Sequence, residues 1–171
     1  DALQATSTQL ARVCGDSIYA VRADVTDPDQ IRALYEAACG RFGPVQILVN
    51  NAGGPGPGTH ETISDEDWAT AFDLTLRSAV RLTNLVLPTM KSAGWGRVVN
   101  ISSYSVRQPI DNMMLSNSLR LSVLGWAKTL ATEVAAYGIL VNTVCPGWTD
   151  TDRVASLLVS QSVAQGKPAM D

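Results

Sequence analysis

The stretch VQILVNNAGGPGPG, Val45–Gly58, joins a short apolar run to a loop rich in glycine and proline. The apolar run is nearly continuous rather than alternating, which is typical of a strand covered on both faces of a parallel sheet. In an open parallel sheet, ligands bind in the crevice at the carboxyl ends of the strands. The stretch therefore predicts a buried parallel strand that ends in a ligand-binding loop, with a plain crossover loop as the alternative.

Three further apolar runs predict strands on either side of this one, Ser17–Val25, Gly96–Ser102 and Ile139–Cys145. Helical patterns separate the strands and run over 2–13, 28–42, 64–92 and 113–137. Strands that alternate with helices of this length indicate right-handed βαβ crossovers. The sequence thus predicts an α/β fold with a doubly wound parallel sheet in a single domain.

Residues with capping and breaking preferences mark the ends of these helices. Asp27 before Pro28, and Ser64 before an acidic turn, are N-cap signals. Pro88 is expected to bend the last turns of the long second region. Glycines are expected to end three of the helices, the first at Gly40 and Gly43, the second at Gly94 and the third at Gly138.

Composition excludes several classes of function. The formal net charge is -3 and no basic run is present, so nucleic-acid binding is not expected. Three widely separated cysteines and the single histidine, His60, predict neither a disulfide framework nor a metal site. No apolar run approaches the ~20 residues of a membrane span, so we expect a cytoplasmic protein with no membrane partner.

Short polar motifs come at the ends of the predicted strands, in the order ADV (23–25), NNAG (50–53), NISS (100–103) and PGWTDT (146–151). With these motifs in this order, the sequence resembles the short-chain dehydrogenase/reductase family, and within it the 3-oxoacyl-acyl-carrier-protein reductase-like members. The resemblance extends over nearly the whole chain. It implies a Rossmann-type domain that binds NAD(H) or NADP(H) and interconverts a carbonyl and an alcohol on a ketone or 3-oxoacyl substrate.

The resemblance also assigns residues to the cofactor. Asp24 and Val25 are expected at the adenine, and the strand-end residues next to the ribose are Asn50, Ala52 and Gly53. The positions around the nicotinamide and pyrophosphate are Pro146, Gly147, Thr149 and Thr151. Ile101 and Arg120 complete the expected cofactor side of the site.

Two elements of the family pattern have no counterpart in these 171 residues. They are the glycine-rich turn that receives the pyrophosphate at a helix N-terminus, and the last strand. We therefore expect residues 1–171 to form one partial NAD(P)-binding Rossmann domain that lacks the first βαβ segment and the last strand.

The catalytic positions depart from the family pattern, in which the catalytic residues are Asn, Ser, Tyr and Lys. Ser103 is retained, but Ser116 stands thirteen residues later, where the family has Tyr, and Arg120 stands four beyond, where it has Lys. Thr75 occupies the Asn position. Tyr104 is a candidate replacement phenol, with a packed or exposed loop tyrosine as the alternative.

The replacements change the available acid–base chemistry. An aliphatic hydroxyl is far less acidic than a phenol, whose reference pKa is ~10, so Ser116 alone does not replace a tyrosine as proton donor. Arg120 lies one helical turn from Ser116 and supplies a fixed charge, but its pKa above ~12 prevents it from relaying a proton.

Two hypotheses follow from this pattern. The first is an NAD(P)-dependent oxidoreductase with a rebuilt catalytic group. The second is a catalytically weak or inactive homologue that serves as a nucleotide-binding, structural or regulatory subunit. In either case the resemblance implies a homo-oligomer, a dimer or tetramer, that associates through the two long helical regions 67–92 and 113–137.

Overall fold

The computed structural model describes residues 2–151, 154, 155 and 159. Its helices are α1 (Ala2–Cys14), α2 (Pro28–Phe42), α3 (Asp65–Phe72), α4 (Ser78–Ala93) and α5 (Met114–Val134). Its strands are β1 (Ile47–Asn50), β2 (Gly96–Ile101) and β3 (Ile139–Val144). Within this part of the chain no helix has the length and apolar character needed to cross a bilayer.

The three strands form one parallel sheet in the order β1-β2-β3. Ile47 is in register with Arg97, and Gly96 is in register with Ile139. Each pair of neighbouring strands is joined through a helical connection, as the sequence predicts for an α/β fold. Three of the four predicted strands are confirmed, and their carboxyl ends lie at one edge of the sheet.

The prediction of a strand over Ser17–Val25 is wrong. Ile18 does have extended dihedrals, φ -121 and ψ 137, but the segment pairs with no strand among the described residues. A strand needs a neighbour that accepts and donates its backbone hydrogen bonds. The Asp24 end of this segment instead forms local bonds, with the Asp24 amide donating to Gln30 and the Thr26 amide donating to the Asp24 carboxylate.

The core lies between one face of the sheet and the helices α2, α4 and α5. Its buried side chains are Val86, Leu87, Met90, Val98, Val134 and Ile139. A smaller cluster joins α3 to α5 and consists of Ala71, Leu115 and Leu119, with Ile63 and Trp68 packed against it. Together the two clusters fix α4 and α5 on the sheet.

The predicted helix ends are confirmed except at Gly40, which lies inside α2 because that helix continues to Phe42. The Asp27 carboxylate accepts from the side-chain amide of Gln30 and from the backbone amides of Asp29 and Gln30, and these hydrogen bonds hold its pKa below the ordinary value. Ser64 forms a reciprocal capping box with Asp67. Gly43, Gly94 and Gly138 all have positive φ at the C-terminal ends of helical segments.

The region 64–92, predicted as one helix, is helical throughout, but its hydrogen-bonding pattern changes from α-helical to π-helical and back. The π-helical turn Asp73–Arg77 lies between α3 and α4. Apolar spacing does not reveal such a turn, because one wider turn shifts the pattern by a single residue. π-Turns are frequent at functional sites, and this one carries the buried Thr75.

Candidate functional site

The candidate site is an open cavity of about 200 Å³ at the carboxyl ends of the strands. The residues that line it come from the strand-end loops and from the first turns of α5. They are Gly54, Ser102, Ser103, Tyr104, Ile110, Met113, Ser116, Arg120, Pro146, Gly147, Trp148, Thr149, Thr151 and Val154. Four of the five predicted catalytic residues, Ser103, Tyr104, Ser116 and Arg120, are thus brought to one cavity.

Arg120 fixes the polar wall of this cavity. Its Nε donates to Ser116 Oγ at 3.3 Å, across one turn of α5. Its NH1 donates to the carbonyls of Ile101 and Ser102 at 3.2 and 3.1 Å, and the Ser102 hydroxyl donates back to the Arg120 carbonyl. The guanidinium therefore links the catalytic face of α5 to the end of β2.

Ser103 caps the short turn that follows β2. Its Oγ accepts from the amide of Ser105 at 3.1 Å. Because that bond uses a lone pair, the hydroxyl proton of Ser103 remains available to donate. The residue therefore combines a structural role, as a cap, with a half-buried donor on the cavity wall.

Tyr104 and Trp148, which both line the cavity, form an aromatic pair. Their ring centroids are 6.1 Å apart and the planes are tilted by 53°. The Tyr104 amide donates to the carbonyl of Pro146 at 3.0 Å, which ties the loop after β2 to the loop after β3. The pair thus belongs to a fixed part of the wall.

Thr75, the fifth predicted catalytic residue, lies behind this wall rather than in it. It lines a second cavity of about 20 Å³ together with Arg120, Asn50 and Asn100, a space large enough for one water. In the described part of the chain, Thr75 Oγ1, Asn50 Oδ1 and Asn100 Nδ2 are buried without a hydrogen-bond partner. Buried polar atoms are normally satisfied, so these three are suited to an ordered water.

The predicted cofactor residues fall into two groups. Asn50, Ala52, Gly53 and Ile101 line the second cavity, Pro146, Gly147, Thr149 and Thr151 line the first one, and Arg120 lines both. Asp24 and Val25 line neither cavity. The Asp24 carboxylate accepts from the amide and hydroxyl of Thr26, and these bonds lower its pKa.

Sequence reasoning missed the residues that shape the outer wall. Asn117 holds the loop before α5, because its side chain accepts from the Ile110 amide and donates to the Ile110 carbonyl. Gly58 pairs with the start of α5 through bonds to Asn112 and Met114. The available signal was the position of Asn117 inside the segment LSNSLR, next to Ser116.

The comparisons with known proteins agree with this geometry. The family model described as short chain dehydrogenase matches residues 1–161. The chain belongs to the short chain dehydrogenase family. Its parallel sheet and its strand-end cavity are those of a truncated Rossmann fold of this family.

Several similar members of the short chain dehydrogenase family are named as ketoacyl or 3-oxoacyl reductases. A Streptomyces coelicolor protein named as a ketoacyl reductase is 39% identical over 136 residues, which cover 78% of this chain and 52% of that protein. The 3-oxoacyl-[acyl-carrier-protein] reductase of Vibrio cholerae is 35% identical over 152 residues, covering 88% of this chain and 62% of the reductase.

A solved structure gives the corresponding comparison in three dimensions. A crystal structure of an actinorhodin polyketide ketoreductase variant with NADPH superposes with a TM-score of 0.91 at 36% identity. The superposition covers 98% of this chain and 64% of that one. The chain therefore spans about half to two thirds of the length of the family members it matches.

Proposed function

We propose that the protein is an NAD(P)-dependent oxidoreductase that reduces a ketone or a 3-oxoacyl group, or oxidises the corresponding alcohol. The observation that carries the proposal is the convergence of Ser103, Ser116 and Arg120 on one cavity at the carboxyl ends of the strands. The ketoacyl reductases among the relatives support the same substrate class.

The wall of the site fits the nicotinamide and ribose half of a dinucleotide. A Cβ built on Gly53 or Gly147 meets no described atom within 4 Å, so a flat ligand can approach the backbone at both places. The residues proposed to hold the cofactor are Asp24, Val25, Asn50, Ala52, Gly53, Ile101, Arg120, Pro146, Gly147, Thr149 and Thr151. NAD(P)H would supply the hydride for carbonyl reduction.

Two hydroxyls are proposed to bind the carbonyl oxygen. Ser116 Oγ accepts from Arg120 Nε, so its own proton is free to point into the cavity, as is the proton of Ser103. The adjacent guanidinium strengthens Ser116 as a donor because its positive charge stabilises oxygen as negative charge develops. The proposed role of Arg120 is thus electrostatic.

Proton delivery is proposed to come from Tyr104, the phenol on the same cavity. The proton passes from the Tyr104 hydroxyl to the carbonyl oxygen as the carbonyl carbon is reduced, and solvent reprotonates the phenolate. Thr75 is proposed as a positioning residue, because its orphaned hydroxyl and Arg120 border the same small cavity. A water there would brace the π-helical turn against Arg120.

The proposal is tested on the full-length protein with NADH and NADPH, first by binding and then by consumption in the presence of acetoacetyl thioesters and simple ketones. We expect binding of at least one dinucleotide and turnover that falls by about 10²-fold or more in Tyr104→Phe. Dinucleotide binding with no turnover on any ketone would establish the inactive homologue instead.

We further propose that the protein is cytoplasmic and forms a homo-oligomer through its long helices. Phe72 at the end of α3 and Leu121 on α5 are both exposed, at 41% and 51%. Burial of such side chains between copies would stabilise a dimer. Light scattering of the native protein is expected to give a dimer or tetramer, and Leu121→Glu a smaller species; a native monomer would contradict this.

A further inference from the structure

Arg81, a side chain of α4, contacts two segments that are far from each other in sequence. Its Nη1 donates to the carbonyl of Thr26 at 2.8 Å, across 55 residues of sequence. Its Nη2 lies 3.5 Å from Asp73 Oδ1 in an ion pair, and the side chains of Arg81 and Asp73 are 22% and 31% exposed. Partial burial reduces the screening of this pair by solvent. The proposed reaction gives Arg81 no role.

The first of these segments, the loop before α2 (Asp24–Asp27), is one hydrogen-bonded unit. The Asp24 carboxylate accepts from the amide and from the hydroxyl of Thr26, both at 2.8 Å. Gln30, in the first turn of α2, accepts from the Asp24 amide at 2.9 Å and donates to Asp27 at 2.8 Å. Because these bonds tie the loop to α2, the bond from Arg81 fixes the whole unit against α4.

The second segment is the π-helical turn Asp73–Arg77, which begins at the other partner of Arg81. Thr75 lies two residues after Asp73 and is buried. In the described part of the chain its hydroxyl has no hydrogen-bond partner, and it lines the small cavity that Arg120 also lines. A shift of Asp73 therefore changes the position of Thr75, because both belong to one turn of backbone.

Arg77 offers a comparison within the same turn. It also pairs with Asp73, at 3.0 Å, but the two residues are only four apart in sequence and the Arg77 side chain is 50% exposed. Such an exposed pair contributes little to stability. Of the two arginines, only Arg81 also bonds to the loop before α2 among the described residues. Arg81 is therefore the one that joins the loop to the turn.

From these contacts we infer that Arg81 is a positioning residue, which transmits the binding of an adenine nucleotide at the loop before α2 to the π-helical turn. The loop contains Asp24 and Val25, which are proposed for the adenine but line neither strand-end cavity. Arg81 bonds to the loop on one side and to the turn that carries Thr75 on the other. The nucleotide part of this inference rests on the proposed function.

Transmission through Arg81 requires no change of shape. A nucleotide that binds the loop reduces the local opening of its backbone. The Thr26 carbonyl then stays in place as an acceptor, so Arg81 stays beside Asp73 for more of the time and the π-helical turn opens less often. Ordering of one segment by a ligand bound at another is sufficient to couple two sites. Coupled sites usually change each other's affinity by about 5- to 150-fold.

Hydrogen–deuterium exchange of the full-length protein measures this transmission without any turnover. The probes are AMP and adenosine 2′,5′-bisphosphate, the adenine halves of NAD and NADP. A saturating nucleotide should slow amide exchange over 24–30 and, by about fivefold, over 73–77 as well. Slower exchange over 24–30 with unchanged exchange over 73–77 would overturn the inference.

Two variants remove the link and a matched control leaves it intact. Arg81→Met removes the donors but keeps most of the apolar stem, and Asp73→Ala tests the same link at its other end should Arg81→Met not fold. Both should keep the slowing over 24–30 and lose it over 73–77, whereas Arg77→Met should keep both. Slowing over 73–77 that persists in Arg81→Met or in Asp73→Ala would contradict the role of Arg81. Thermal unfolding checks that the variants are folded.

A half cofactor separates positioning from a general effect on the fold. Reduced nicotinamide mononucleotide has the nicotinamide and its ribose but no adenine. Arg81→Met should lower kcat/KM for the dinucleotide by about fivefold and leave kcat/KM for reduced nicotinamide mononucleotide unchanged. An equal loss with both cofactors would mean a general weakening of the fold and would overturn the inference.

The inference and the proposed function fail in different ways. Slower exchange over both segments without turnover of any ketone would support the role of Arg81 and contradict the oxidoreductase. Turnover of ketones with slower exchange over 24–30 alone would support the oxidoreductase and contradict the role of Arg81. No slowing over 24–30 with either nucleotide would contradict the proposed adenine position and the inference together.

Discussion

At the scale of single residues, the central feature is the contact between Arg120 and Ser116. The guanidinium bonds to Ser116 Oγ and to two backbone carbonyls at the end of β2. A lysine ammonium is a compact point charge and does not present this planar fork of donors. The arginine therefore suits a site in which the cation organises hydroxyls rather than one in which it lowers the pKa of a phenol.

The first prediction restores the residues that the family pattern has at these two positions. Ser116→Tyr combined with Arg120→Lys places a phenol and an ammonium one turn apart on α5. Because a positioned acid contributes about 10²- to 10⁴-fold, we expect these two substitutions, made in Tyr104→Phe, to raise kcat for ketone reduction by about 10²-fold over Tyr104→Phe alone. Steady-state assays of the two proteins measure this.

Ser116→Phe with Arg120→Lys is the matched control for that experiment, since it adds the ring without the hydroxyl. An equal kcat with either pair of substitutions would show that the added phenol does not supply the proton.

At the scale of elements, two glycines show how position decides the effect of a side chain, one at the end of the helical segment before β3 and one inside α5. Gly138 has φ +69 after the last helical turn, and a Cβ there would collide with the Gly94 carbonyl oxygen. Gly125 lies inside α5, where a Cβ meets no described atom within 4 Å. The two glycines therefore have opposite roles although both belong to the α5 region.

The second prediction compares alanine at these two glycines. Gly138→Ala should lower the free energy of unfolding by about 1–3 kcal/mol, because it adds a clash and a strained φ. Gly125→Ala should raise it by about 0.5–1 kcal/mol, because alanine favours the helix. Urea denaturation measures both, and a loss of stability in Gly125→Ala would contradict the open space beside α5.

The third prediction concerns acid stability at the start of α2. Hydrogen bonds from Gln30 and from backbone amides lower the pKa of Asp27 in the folded chain. A lowered folded pKa means that this carboxylate stabilises the fold above the unfolded pKa of about 4, and that the contribution disappears as the pH falls through the folded value.

Asp27→Asn keeps an N-cap side chain but removes the titration. Thermal unfolding followed from pH 6 to pH 3 should therefore show a shallower loss of stability for the variant than for the native protein. Parallel profiles for the two proteins would mean that Asp27 has the same pKa in the folded and unfolded chains.

At the scale of the whole molecule, the sequence predicted the elements that have a local signal. The runs at 45–50, 96–102 and 139–145 became paired strands, and the caps at Asp27 and Ser64 formed as expected. The segment Ser17–Val25 has the same apolar character but no neighbour to pair with in the described part, since pairing depends on other segments.

The candidate site was predictable to the same extent. Motif positions gave Ser103, Ser116 and Arg120 as candidates, and helical spacing predicted that the last two share one face of α5, where the structure shows a hydrogen bond between them. The aromatic wall could not be predicted, because Tyr104 and Trp148 are far apart in sequence and meet only when the ends of β2 and β3 align. The π-helical turn under Thr75 has no periodic signal.

The fourth prediction is that a dinucleotide stabilises the whole fold. A ligand that binds only the folded state at about 100 times its dissociation constant adds about 2.7 kcal/mol to the free energy of unfolding. Thermal denaturation of the full-length protein with NADPH at that ratio should show this gain. No shift with either NADPH or NADH would contradict the assignment of the strand-end cavities to a dinucleotide.

The central claim is that this cavity carries out hydride transfer to a carbonyl, and isotope transfer tests it most directly. The full-length protein is incubated with a ketone and NADPH deuterated at the transferable position, and the alcohol is analysed by mass spectrometry. We expect the native protein to place one deuterium on the carbinol carbon, and Ser103→Ala to give at least tenfold less labelled alcohol than the native protein. Alcohol without deuterium, or equal labelling by the Ser103→Ala variant, would contradict it.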